Sequence, residues 1–260
     1  MTLQNWFKRL SFLNLALFVC WMCAGDVSAA GPIQSQAVIS LSFDEASGDA
    51  NAVVAGSSEK YQGKLVNGPK RIPSPFWNQS SKRALIFNAG KTQFVQLSNT
   101  PYLDRPDAVS LSFFFLSLHN LNDATVHGIV AKRTGNKGSS NYGINYVPKS
   151  DLFQLYVNDG SGFHIATYSV KNVIGFRRLA HLTATFQVGD APAPDADSDI
   201  DDILIRLFVN GQPAKPTKAV KGTITGNDIW LTDVKTVTLL NDVPLTLGCS
   251  FPNEEPTSEP

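Results

Sequence analysis

Cleaving a glycosidic bond by acid–base chemistry requires two carboxylates held about 5 Å apart in a retaining enzyme. On a strand that demand is commonly met by alternate positions in a Glu-x-Asp-x-(x)-Glu pattern. The glutamates here are Glu45, Glu59, Glu254, Glu255 and Glu259, and none lies mid-strand opposite another acid. Asp195, Asp197, Asp199, Asp201 and Asp202 alternate as in a calcium loop. An EF-hand starting at Asp195 would need Gly at its sixth position and Glu at its twelfth, where this chain has Ile200 and Arg206. The stretch reads as a solvated acidic insertion. His119, His127, His164 and His181 show no metal-binding spacing such as H-E-x-x-H. No Gly-x-Ser-x-Gly elbow or phosphate loop is present, and Asp159-Gly160-Ser161-Gly162 reads as a turn. With no catalytic set in view, the chain is expected not to be an enzyme.

Aromatic side chains offer a different chemistry, because a ring plane buries the apolar face of a pyranose. Trp77, in the proline-rich stretch 73–77, and Tyr142 and Tyr146 are the candidates for ligand stacking. Trp230, set between Ile229 and Leu231, reads instead as a cover for the end of a core.

Lys8 and Arg9 precede an apolar run over residues 10–23, and Ser28-Ala29-Ala30 follows. This is the form of a secretory signal peptide over residues 1–30, with cleavage expected near Ala30. The run is shorter than the ~20 residues of a spanning helix, so no membrane span is expected after cleavage. The protein is expected to be secreted or held at the cell surface. Cys20 and Cys23 leave with the signal, so Cys249 stays alone and stability must come from a buried core. Lys and Arg number 22, as do Asp and Glu. That balance lacks the basic excess of a nucleic-acid surface.

The elements that must carry these residues are strands. Period-two alternation dominates beyond the leader, and no amphipathic helix is evident. In residues 38–44, Ile39, Leu41 and Phe43 share one face. In 179–187, Ala180, Leu182, Ala184 and Phe186 point inward, and His181, Thr183, Thr185 and Gln187 outward. In 203–210, Ile203, Ile205, Leu207 and Val209 face the core, and Asn210-Gly211 signals a hairpin. Further strands are expected at 84–87, 94–97, 109–118, 128–131, 142–146, 152–157, 163–168, 237–240 and 245–247. The run 109–118 is apolar on both faces at Phe113, Phe114 and Phe115, which suits a central, deeply buried strand. Such spacing of short strands gives an all-β sandwich over residues 31–251, with 252–260 as linker and 189–202 as a Pro/Asp-rich excursion.

In order, the motifs Leu41-Ser42-Phe43-Asp44-Glu45, Gly63-Lys64-Leu65-Val66-Asn67-Gly68, Ala84-Leu85-Ile86-Phe87 and Phe94-Val95-Gln96-Leu97 open a recognisable series. Val109-Ser110-Leu111-Ser112-Phe113, residues 179–186, Leu207-Phe208-Val209-Asn210-Gly211-Gln212 and Pro244-Leu245-Thr246-Leu247-Gly248 complete it. The series resembles the laminin-G-like, concanavalin-A-like jelly-roll domains of secreted bacterial proteins. The resemblance implies a two-sheet antiparallel jelly roll, and a structural Ca²⁺ site in which Asp44 joins backbone carbonyls. It also implies a closing strand after residue 248 that is missing here. Residues 39–43 are therefore expected as an edge, completed by a longer polypeptide or by a partner. By this likeness the chain is an extracellular recognition or adhesion module, for glycan or a surface protein, within a longer protein. A structural spacer, or an accessory domain of a secreted glycoside hydrolase whose catalytic part lies elsewhere, is the alternative. Fold alone does not choose among them.

Overall fold

Strand-forming alternation recurs through the computed structural model, which describes residues 39–41, 43–54, 60–74, 82–88, 91–100, 103, 108–118, 122–133, 141–160, 162–171, 178–192, 201–234 and 243–248. Its strands are β1 (Ile39–Leu41), β2 (Ala50–Val54), β3 (Lys60–Val66), β4 (Lys70–Pro73), β5 (Arg83–Ile86), β6 (Phe94–Leu97), β7 (Ala108–Leu116), β8 (His127–Lys132) and β9 (Asn141–Val147). They continue as β10 (Leu152–Asn158), β11 (Phe163–Ser169), β12 (Leu179–Gly189), β13 (Asp202–Val209), β14 (Gln212–Pro213), β15 (Lys215–Val220), β16 (Gly222–Thr225), β17 (Asp228–Leu231) and β18 (Leu245–Leu247). A 3-10 turn at Pro148–Ser150 joins β9 to β10.

Two antiparallel sheets pack as a jelly-roll sandwich. The larger has the order β1-β2-β3-β6-β18-β8-β9-β10-β11-β15, and the smaller β16-β17-β13-β12-β7, with β14 beside β13. β4 and β5 form a separate ribbon. Alternate residues of both sheets meet in one core. Tyr142, Ile144 and Tyr146 of β9, Phe153, Leu155 and Val157 of β10, and Ala166 and Tyr168 of β11 come from the larger sheet. Ala180, Leu182, Ala184 and Phe186 of β12, Ile203, Ile205, Leu207 and Val209 of β13, and Ile229 and Leu231 of β17 come from the smaller. Rings interlock across the seam: Phe115 meets Tyr146 and Phe153 edge-on, with centroids 5.3 Å and 5.5 Å apart. Buried aromatic area of this kind is the main source of stability in a domain without a disulfide.

Two expectations change at this level. β7 is the outermost strand of the smaller sheet among the described residues, not a central one, and Phe114 is 48% exposed on it. The three consecutive phenylalanines alternate as the pleat requires, Phe113 and Phe115 inward and Phe114 outward. Phe43 does not extend β1, because its φ of 58° breaks the strand after Leu41. The expected strand at 237–240 lies outside the described residues. β1 is paired on one side, to β2, among the described residues.

Asn210-Gly211 forms the hairpin that the sequence signals. Both residues have positive φ, 52° and 78°, and β13 turns back through them into β14. The Asn210 amide N–H donates to the His181 carbonyl, and the His181 N–H donates to Asn210 Oδ1. The turn is thereby tied to the adjacent β12.

Candidate functional site

Tyr142 and Tyr146 do not present their rings to solvent. Both belong to the inward-facing set of β9 and are fully buried, Tyr142 against Phe186 and Tyr146 against Phe115 and Phe153. Tyr146 donates its hydroxyl to Asp151 Oδ1, and burial pushes its pKa upward, the neighbouring Asp151 carboxylate adding to the effect. Their expected role in sugar stacking is therefore corrected: alternation puts them on the core side. Trp77 lies outside the described residues.

The outer face of the smaller sheet is where exposed rings and polar side chains do meet. Register places its residues in rows across the strands. Phe114 of β7 lies opposite His181 of β12. In the next row lie Ser112, Thr183 and Phe208, and then Ser110, Thr185 and Arg206. In the last lie Ala108, Gln187, Leu204 and Trp230, the final pair being partners across β13 and β17. Each ring sits outward for the same reason: its sequence neighbours, Phe113 and Phe115, Leu207 and Val209, or Ile229 and Leu231, take the core positions. Trp230 is thus on the sheet face and half-buried, not a cover for the sandwich end. A Cβ added at Gly189 would lie 3.4 Å from the Trp230 ring. The far edge of the indole therefore reaches across β13 toward β12.

Between the rings the face is polar and electrically balanced. Ser112 Oγ lies 2.8 Å from His181 Nε2, and the His181 ring packs on Phe114 with centroids 5.0 Å apart. Arg206 donates from Nε and Nη2 to the two oxygens of Asp228, at 2.7 Å and 2.8 Å. That bidentate pair raises the pKa of Arg206 and lowers that of Asp228. Neither charge is left over for an ionic ligand.

The outer face of the larger sheet also carries polar groups, but it is closed. Tyr156 lies over Gly143, and the Arg133 guanidinium sits 4.5 Å from the centre of the Phe163 ring. Arg133, Tyr156, Asn145, Thr167 and Thr246 are all buried. Each described histidine ring has a polar neighbour: His127 has Asp123 at 2.8 Å, His164 has buried Asp159 at 3.2 Å, and His181 has Ser112 at 2.8 Å. His119 lies outside the described residues.

Asp44 stands at the end of β1, and its oxygens are both spent on protein donors. Lys82 Nζ approaches Oδ2 to 2.7 Å and the Arg83 N–H donates to Oδ1. The Lys82 hydrogen bond, with the Arg83 N–H, holds the carboxyl below its ordinary range. Glu45 beside it takes Arg71 at 3.4 Å and the Asn51 N–H. Among the described residues no three His, Cys, Asp or Glu side chains group to hold a metal. Lys82 is thus the charge partner of Asp44 among the described residues. Of the acidic excursion, Asp190, Asp201 and Asp202 are described. Asp202 is buried and accepts the Ala191 N–H, pinning the base of the loop.

Sequence reasoning missed Phe114, Phe208 and Trp230 as a set. The signal was the alternation already used to find the strands, which assigns one residue of each apolar triplet to the outside.

No family model matches the chain, and no curated protein matches it. Solved structures similar to it include the mouse laminin alpha1 chain, domains LG4-5, at 12% identity and a TM-score of 0.37, covering 55% of this chain and 29% of that one. The binding domain of botulinum neurotoxin DC in complex with SialylT follows at 10% identity and a TM-score of 0.43, covering 84% and 49%. The alginate lyase Aly36B is similar at 10% identity and a TM-score of 0.33, covering 81% and 93%. The chain thus spans less than half the length of the first two. At these values the likeness assigns no function. The chain's own two antiparallel sheets make it a jelly-roll β-sandwich.

Proposed function

We propose that the chain is an exported, non-catalytic module that recognises carbohydrate on the outer face of the smaller sheet. The observation that carries this reading is the outward polar face of β7, β12, β13 and β17, bearing exposed Phe114 and half-buried Phe208 and Trp230 among Ser, Thr and Gln side chains. Sugars present apolar ring faces beside hydroxyl edges, and such a surface meets both. Among the described acids, Asp44, Glu45, Asp123, Asp159 and Asp228 are each engaged with a basic partner. Export rests on the leader-like residues 1–30.

A glycan array probed with the chain from residue 31 onward, with and without Ca²⁺, tests the proposal. Binding is expected in both conditions. Phe114→Ala and Trp230→Ala are expected to weaken it by about three- to tenfold each, the range of a ring contact worth about 0.5–1.5 kcal/mol. Uniformly absent binding would leave the spacer reading in its place.

A further inference from the structure

The step Asn-Gly occurs at two places in the chain, Asn67-Gly68 and Asn210-Gly211, each time after a valine. It can modify itself, because a glycine has no Cβ to keep its backbone nitrogen away from the preceding asparagine side chain. Both copies form turns with the same backbone: φ is 56° and 62° at the first, and 52° and 78° at the second. Both glycines also stand in open space. What separates the two steps is the set of hydrogen bonds around each side chain.

At Asn67 the groups that would react are held. Its Nδ2 donates to the Thr92 carbonyl and to Thr92 Oγ1, each at 2.9 Å. Buried Gln93 donates from Nε2 to the carbonyls of Asn67 and Gly68, at 3.0 Å and 2.9 Å. The nitrogen that must leave and the peptide unit that must turn are both fixed. At Asn210 the arrangement is reversed. The His181 N–H donates to its side chain at 2.9 Å, and since a backbone N–H can only donate, the engaged atom is Oδ1. Among the described residues no hydrogen bond holds Asn210 Nδ2 or the Gly211 N–H, and both residues are exposed. The turn also opens easily. β14, which follows it, is two exposed residues, and Pro213 has no N–H to give to the ladder.

We infer that Asn210 is a self-modification site, which the chain converts to a mixture of aspartate and isoaspartate with water as the co-reactant. The Gly211 nitrogen attacks Asn210 Cγ while water takes up its proton. Negative charge develops on Oδ1, the atom to which the His181 N–H already donates. The Cγ–Nδ2 bond then breaks, Nδ2 takes a proton from water and leaves as ammonia, and a five-membered succinimide closes. Water opens that ring. Addition at Cγ gives aspartate, and addition at the main-chain carbonyl of residue 210 gives isoaspartate. The sum is amide plus water to carboxylic acid plus ammonia, with no change of oxidation state. Either product brings a negative charge to the turn beside β12. Aspartate keeps an oxygen for the His181 N–H, whereas isoaspartate lengthens the main chain by a methylene and loosens the tie between this turn and β12.

The test follows the Asn210 and Asn67 peptides by mass spectrometry after incubating the folded chain, from residue 31 onward, at mildly alkaline pH. A parallel sample in denaturant reports both steps without their folded surroundings. In the folded chain Asn210 is expected to be lost about tenfold faster than Asn67, the factor that one net hydrogen bond represents. In denaturant the two losses should match. Asn210→Gly keeps a residue that accepts the left-handed turn, and it should remove the main acidic species seen on ion exchange. Equal loss at both steps of the folded chain, or slower loss at Asn210, would overturn the assignment. So would a difference that persists in denaturant, or an acidic species that survives in Asn210→Gly.

Discussion

At the scale of the residue, Asp123 shows how one carboxyl can govern acid stability. Burial favours its neutral form, but donation from Thr125 and His127 outweighs burial and holds the pKa down to about 2, against an ordinary 3.8. A depressed folded-state pKa stabilises the fold above the unfolded value and loses that contribution as pH falls through the folded one. The window is therefore from about pH 4 down to about pH 2, and the contribution is on the order of 2 kcal/mol. Replacing Asp123 by Asn should flatten the denaturant midpoint across that window, while the native chain loses stability there. An unchanged slope in the variant would mean that other carboxyls, such as Asp44 and Asp228, carry the effect. None of this was visible beforehand, since Asp123 meets His127 four residues away at the mouth of a strand, in a spacing that no motif marks.

At the scale of the element, the chain between β15 and β16 deserves the closest comparison with its sequence. β15 pairs with β11 in the larger sheet, and β16 pairs with β17 in the smaller, so one nearly continuous stretch changes sheets at Lys221 and Gly222. Lys221 takes a φ of 52°, and a Cβ on Gly222 would run into the Trp230 carbonyl and lie 3.0 Å from Leu231 Cα. Both obstacles are backbone, which side-chain repacking cannot relieve. Gly222→Ala is expected to cost about 3 kcal/mol, a fall of about 6–12 °C in melting temperature. A loss below 1 kcal/mol would show that the crossing has slack. The crossing was not legible, because β15 and β16 are rich in Lys, Pro and Thr with few large apolar residues. β6, β12, β13 and β18 were legible to within about a residue or two because their inward positions are uniformly aliphatic or aromatic. The site was hidden by the same rule that revealed the strands. In Phe113-Phe114-Phe115 and Ile229-Trp230-Leu231 the outward residue resembles its buried neighbours, and only pairing register tells them apart.

At the scale of the whole molecule, no helix among the described residues is long and apolar enough to cross a membrane. The two sheets share one core, so unfolding is expected to be a single cooperative transition in denaturant, with ring and backbone signals coincident. Separate midpoints would mean that the sheets melt independently. The seat of β18 has a further consequence, one of timing. Leu245–Leu247 lies between β6 and β8, and the Thr246 hydroxyl reaches Ala131, 115 residues earlier. Until this short strand emerges from the ribosome, β1, β2, β3 and β6 have no hydrogen-bonded path to β8, β9, β10, β11 and β15. Closing so distant a contact is slow. The larger sheet therefore stays as two unjoined halves, and becomes one object only when β18, the last strand among the described residues, drops between them.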